Sequence, residues 1–204
     1  GELTRTYNKN TNSPSQSANN TQNENNKNIL DGCYHLYLDV GSNNGVQIRK
    51  LFEPTKYPTA NVHSVFTTYF GTPEKRKNSF EGRVVCAVGF EPNSHHTQYL
   101  KQLESSYNKC GWRVTFMTET AVSDHAGTAR FSTDEAYEHM EWGGGILPPD
   151  VNYEAKENVG NKTAPQLMPV TLVRLSEFLK RIKNINKIPT ITKPRVKIWD
   201  LNKL

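Results

Sequence analysis

The chain has 204 residues, enough for one α/β domain with a sizeable core, or one domain plus a tail. It carries 25 Lys and Arg against 20 Asp and Glu, a net charge of +5. The basic residues are scattered apart from Lys75-Arg76-Lys77 and Lys180-Arg181, which argues against a nucleic-acid footprint, and no run is long and apolar enough to span a membrane.

Residues 1–28 are rich in Asn, Ser, Thr and Gln and nearly devoid of large apolar side chains. Such a segment buries too little surface to offset its ordering entropy, so a disordered tail is expected there. The sequence starts at Gly1 rather than Met. This leaves a cytoplasmic chain and a secretory-pathway chain that has lost an upstream signal or anchor both open. The sequons at Asn19 and Asn161 weigh little. The three cysteines, Cys33, Cys86 and Cys110, have no metal-ligand spacing, and their odd count speaks against a disulfide framework. Cys86 reads as a core thiol.

Residues 29–204 read as one domain. Tyr34–Val40 is an apolar run of strand length, and Val46, Ile48, Leu51 and Phe52 give the next segment a helical face that ends near Pro54. Residues 54–83 form an insertion. Inside it Val62, Val65, Phe66, Tyr69 and Phe70 fall at helical spacing before Gly71, and they predict a short helix that packs on the core. Val84–Phe90 is continuously apolar, as suits a strand buried on both faces of a parallel sheet. A helix follows, capped at Asn93 or Ser94, striped by Leu100, Leu103 and Tyr107 and closed by Gly111.

Trp112–Met117 is a third strand, and Gly127–Ser132 a short extra one. Residues 134–168 lack periodicity and hold Trp142 beside three glycines, so a long lid-like loop over the site is expected there. Val170–Val173 leads into a helix with Leu175, Phe178, Leu179 and Ile182 on one face. Arg195–Trp199 is a fourth strand, expected beside the first. Strands alternating with helices predict an open, mostly parallel α/β sheet with helices on both faces.

The chemistry collects at strand ends. The first strand runs into Asp39-Val40-Gly41-Ser42-Asn43-Asn44-Gly45, a tight glycine loop before a helix. Such a turn suits close approach of a cofactor to the backbone. Neither G-x-x-x-x-G-K-[ST] nor G-x-G-x-x-G is present, and a carboxylate at the strand end suits a cationic ligand better than a pyrophosphate. Glu91 ends the second strand, where a carboxylate can accept two ribose hydroxyls. It lies 52 positions after Asp39, against roughly 20 in the dinucleotide motif, and the insertion accounts for the excess. Ala121-Val122-Ser123-Asp124 follows the third strand. In open α/β sheets all three places face one crevice outside the carboxyl ends of the strands.

Four segments carry a family resemblance: Tyr37–Gly45, Gly89-Phe90-Glu91-Pro92-Asn93, Thr120-Ala121-Val122-Ser123-Asp124 and Val173-Arg174-Leu175-Ser176-Glu177-Phe178-Leu179. Together, and in this order, they resemble the FkbM-type S-adenosylmethionine-dependent methyltransferases over roughly Tyr34–Ile198. The resemblance implies a Rossmann-like methyltransferase fold and methyl transfer to a hydroxyl of a small-molecule or glycan acceptor. Carried over by position, Asp39, Gly41, Ser42, Asn43, Asn44 and Gly45 would line the methionine end of the cofactor. Glu91 and Pro92 would hold the ribose, and Ala121 and Val122 would border the adenine. No metal is implied.

The end of the chain departs from the family pattern. Trp199 stands where the family has Asp, and no hydrophobic-Glu-Gly follows, so the sheet is expected to be incomplete on its C-terminal side and the activity weak. An oxygen nucleophile must lose a proton; Glu141, His139 and His125 are the candidate bases. Two other classes stay open. One is a non-catalytic binding domain of methyltransferase ancestry. The other is a nicotinamide-dependent oxidoreductase, which the missing G-x-G-x-x-G disfavours.

Overall fold

The computed structural model describes residues 29–78, 84–133, 144–147, 166–180 and 196–199. The chain is α/β, with a parallel sheet flanked by helices and a second, mixed sheet. In the parallel sheet, β1 (His35–Val40), β2 (Val85–Glu91), β3 (Arg113–Thr118) and β8 (Val196–Trp199) lie in the order β3-β2-β1-β8. Val40 pairs with Phe90, Phe90 with Met117 and Leu38 with Ile198, so the carboxyl ends of the strands line up.

Side chains alternate across these strands. Tyr37, Val85, Ala87, Val114 and Phe116 face α1 (Val46–Phe52), α2 (Val62–Phe70) and α4 (Thr97–Lys109), where they meet Ile48, Leu51, Phe52, Phe66, Phe70, Leu100 and Tyr107. Phe52 stacks on Trp112 with ring centroids 5.5 Å apart. Leu36, Leu38, Cys86, Val88 and Phe90 face the other way, against Leu30 and Phe178 of α5 (Leu175–Lys180). Each fully buried Phe or Leu contributes about 1.5–3 kcal/mol by leaving water. The predicted helix at residues 62–70 packs on the core as expected. A further short helix, α3 (Pro73–Lys77), buries Arg76, whose guanidinium lies 5.9 Å from the Phe66 ring centroid.

The expectation of one open sheet does not hold. After β3 the chain turns at Glu119, a non-glycine residue with φ 53°, and starts β4 (Thr120–Ser123) in a different sheet. That sheet has the order β4-β7-β5-β6, with β5 (Gly127–Thr133), β6 (Gly145–Leu147) and β7 (Gln166–Arg174). β4 and β7 are parallel, and β5 is antiparallel to both β7 and β6. Ala121, Ala129, Phe131, Met168, Val170 and Leu172 form its own core.

Residues 144–147 and 166–168, expected in a loop, are thus strand or strand edge, while Val170–Val173 is the end of a strand that runs straight into α5, as expected. Met168, Val170 and Leu172 are buried while Pro169 and Thr171 are exposed, a strand's two-residue period. Pro169 is tolerated because β4 pairs only with Thr171–Arg174. Among the described residues β7 therefore has one neighbour at Pro169, and a missing N–H costs no ladder bond on the open side. The rest of the expected lid, including Trp142, lies outside the described residues, as do the tail and Ile182.

The cysteine reading is also corrected. Cys33, in the turn before β1, is disulfide-bonded to Cys86 of β2, and Cys110 is exposed outside the bond. An odd count excludes full pairing but leaves room for one pair. Cys86 is in the core as expected, though not as a thiol.

Candidate functional site

Between β1 and α1 the backbone alternates in hand. Gly41, Asn43 and Gly45 have φ of 76°, 49° and 74°, while Ser42 and Asn44 keep negative φ. Gly45 needs to be glycine twice over, because a Cβ there would also lie 3.1 Å from both Leu103 and Phe116. At Gly41 an added Cβ would meet no atom of the described residues within 4 Å, so that face of the loop is open. The loop's N–H groups go to separate acceptors: those of Gly41 and Ser42 to the Phe90 carbonyl, that of Asn44 to Asn43 Oδ1 and that of Gly45 to the Ser42 carbonyl.

The Asn43 N–H goes to Glu91. Its Oε2 accepts the Asn43 N–H at 2.5 Å, and its Oε1 accepts the Asn93 N–H at 2.9 Å. Glu91 is 5% exposed. Asn93, itself buried, caps the following turn by accepting the His95 N–H through Oδ1 at 3.0 Å. Ser42 drops its side chain onto β2, where a Cβ on Gly89 would lie 2.4 Å from its hydroxyl oxygen. That contact explains the glycine inside an otherwise apolar strand.

Asp39 sits beneath this loop, 3% exposed, on the same face of β1 as Tyr37. Its Oδ2 is buried and accepts no hydrogen bond among the described residues. Burial foremost, with Glu91 adding repulsion, pushes its carboxyl up to about 7 against the opposing pull of Ser42 and Lys50. Burial, aided by Asp39, likewise drives the Tyr37 hydroxyl upward. Val40, at the mouth, is 42% exposed and offers an apolar wall.

The fold thus brings Asp39, the loop at 41–45, Glu91 and the half-buried Pro92 together at the carboxyl ends of adjacent strands. Ala121 and Val122 are elsewhere in character. Ala121 is packed into the core of the second sheet and Val122 against the Phe178 cluster. The second sheet does reach the β2 loop, where the Ser94 hydroxyl donates to Sδ of Met168. His125 is exposed and bonded through Nδ1 to Asp124; Glu141 and His139 lie outside the described residues. Asn93 belongs to the site and is not among the cofactor-binding residues expected from sequence. A capping Asn two residues after a strand-end acid is a usable signal for it.

Among the described residues no cluster of His, Cys, Asp or Glu could hold a metal ion, and no helix is long and apolar enough to cross a membrane. A separate cleft of about 210 Å³, lined by Ile29, Val88, Arg113 and Thr115 among others, opens beside β2 and β3, away from the glycine loop. No family model, curated protein or solved structure matches the chain.

Proposed function

We propose that this chain is an S-adenosylmethionine-dependent methyltransferase of the FkbM type with a Rossmann-like fold, acting on a hydroxyl of a small molecule or glycan. The observation that carries the reading is the unpartnered, buried Oδ2 of Asp39 at the end of β1. A desolvated carboxylate with no partner stabilises a cationic group brought beside it, and the ammonium and sulfonium of S-adenosylmethionine are cations. Strand order supports it too. The order β3-β2-β1-β8 changes direction between β1 and β8, and ligands of open parallel sheets bind at such a switch point. The family part of the reading rests on the four sequence segments.

Bound there, the cofactor supplies an electrophilic methyl group on its sulfonium. Asp39 would offset positive charge, the open face of Gly41 would admit close approach, and the Glu91 carboxylate would face the ribose hydroxyls. The chain's task is alignment of nucleophile and methyl group. A second reading, a binding domain without turnover, is favoured by one observation. Glu91 already accepts two N–H groups of its own chain, as a carboxylate serving structure would.

Calorimetric titration with S-adenosylmethionine, S-adenosylhomocysteine and NAD tests these readings. The first two are expected to bind and NAD not. Asp39→Asn should weaken the cationic S-adenosylmethionine by about 1.5–3 kcal/mol, the range for a bond to a charged group, and the neutral-sulfur product by less. NAD binding alone would overturn the proposal. Cofactor binding without methyl transfer to any of a panel of hydroxylated acceptors would favour the second reading.

A further inference from the structure

Resting on the reading above for its ligand, we infer that Glu91 is a positioning residue. It straps the glycine loop into its binding shape, and a bound diol meets a carboxylate already engaged by its own chain. Three of the five loop residues have positive φ, one of them the non-glycine Asn43. Such a residue persists only where its surroundings over-determine it. The contact supplying that constraint crosses 48 positions of sequence, from Glu91 Oε2 to the Asn43 N–H. The same carboxylate fixes the β2 turn through Asn93. Asn43 passes the order on, since its Oδ1 accepts the Asn44 N–H at 2.7 Å. The nucleoside end and the amino-acid end of a ligand are then coupled through one side chain.

Amide hydrogen exchange on the ligand-free protein tests the strap whatever the ligand proves to be. In Glu91→Gln the amides of Asn43 and Asn93 are expected to exchange at least about tenfold faster, with those of α4 unchanged. Equal exchange would overturn the strap. Should that variant fold poorly, the wild-type Asn43 amide proton still reports the contact. A strong downfield shift is expected, and a random-coil shift overturns it. Titration with adenosine and with methionine, separately, tests the coupling. Both are expected to weaken in Glu91→Gln, and loss confined to adenosine would make Glu91 a plain ribose ligand. If wild type binds neither fragment and no intact cofactor, the methyltransferase reading falls while the exchange result stands.

A different observation carries a second inference. We infer that the chain matures in an oxidising compartment. The Cys33–Cys86 bond joins two buried residues, 5% and 2% exposed, inside the cluster of Leu36, Val88 and Phe178. Cytosolic thiols are held reduced, and a bond built into a core is structural and not catalytic. To form it, the two thiols give two electrons and two protons to a dithiol oxidoreductase in its disulfide form, which leaves as the dithiol. The turn it anchors is also gripped by Arg113, whose guanidinium donates to the carbonyls of Asp31 and Ile29.

Alkylation of the unfolded, unreduced protein from a secreting host should label one cysteine, Cys110, and reduction should expose all three. The reduced full-length chain should melt roughly 5–15 °C lower. Three labelled cysteines before reduction, or an unchanged melting temperature after it, would overturn the inference.

Discussion

The two sheets solve opposite problems. The parallel sheet is buried on both faces, from Tyr37 and Phe116 on one to Leu38 and Phe90 on the other. It uses that enclosure to hold a desolvated carboxylate and a loop of alternating hand. The mixed sheet has a smaller core of Ala121, Ala129, Phe131, Met168, Val170 and Leu172, and it leaves Ile146 43% exposed. Among the described residues it carries no comparably buried ionisable group. Enclosure makes a site possible, because only a rigid, dry setting keeps a carboxylate unpaired.

The contrast should appear first as a difference in core cost. Phe116 is fully buried under the loop and α4, so Phe116→Ala is expected to destabilise by about 3–5 kcal/mol. Phe131, 7% exposed in the thinner layer, should cost about 1–2 kcal/mol less on the same change. Denaturant unfolding of both variants measures this. Equal losses would show that the second sheet is as tightly enclosed as the first.

Next in size is the electrostatic cost of the site. The folded Asp39 carboxyl is held above the ordinary carboxylate range, up to about 7. Between about pH 4 and 7 the folded state therefore binds more protons there than the unfolded state, and stability falls as pH rises through that window. Asp39→Asn removes the penalty. The variant should match wild type near pH 4 and exceed it by about 2–4 kcal/mol at pH 8, as read by unfolding at both pH values. A pH-independent difference would mean that Asp39 is paired or hydrated in solution.

The smallest effect belongs to the junction between the sheets. Glu119 holds φ 53°, and its carbonyl accepts the Thr171 N–H at 2.9 Å. A β-branched residue should tolerate this poorly, so Glu119→Val is expected to cost about 1–2 kcal/mol. Glu119→Gly should stay within about 1 kcal/mol of wild type. Thermal melts of the pair would distinguish backbone strain from loss of the Thr97 contact to the Glu119 carboxylate.

The same contrast governs what could be read from sequence. β1, the loop and β2 were legible because an uninterrupted apolar run, glycine spacing and a strand-end acid are local signals. α2 was legible through Phe66 and Phe70. The mixed sheet was not, because β7 contains Pro169 and joins strands that are distant in sequence. The proline's harmlessness depends on where β4 begins, at Thr120 opposite Thr171, which is a tertiary fact. At the site, the positions of Asp39 and Glu91 could be argued, but their chemistry could not. That Glu91 serves Asn43, and that Asp39 Oδ2 has no partner, depends on residues brought together across the fold. The disulfide was hidden by an odd cysteine count.

That disulfide also makes a ring of the site's own framework. The bond spans 53 positions, and between Cys33 and Cys86 lie β1, the glycine loop and α1 to α3. A protease that clips the backbone anywhere inside that ring opens it without releasing a piece. The nicked chain stays whole on a non-reducing gel, and its severed halves part only when a reductant is added.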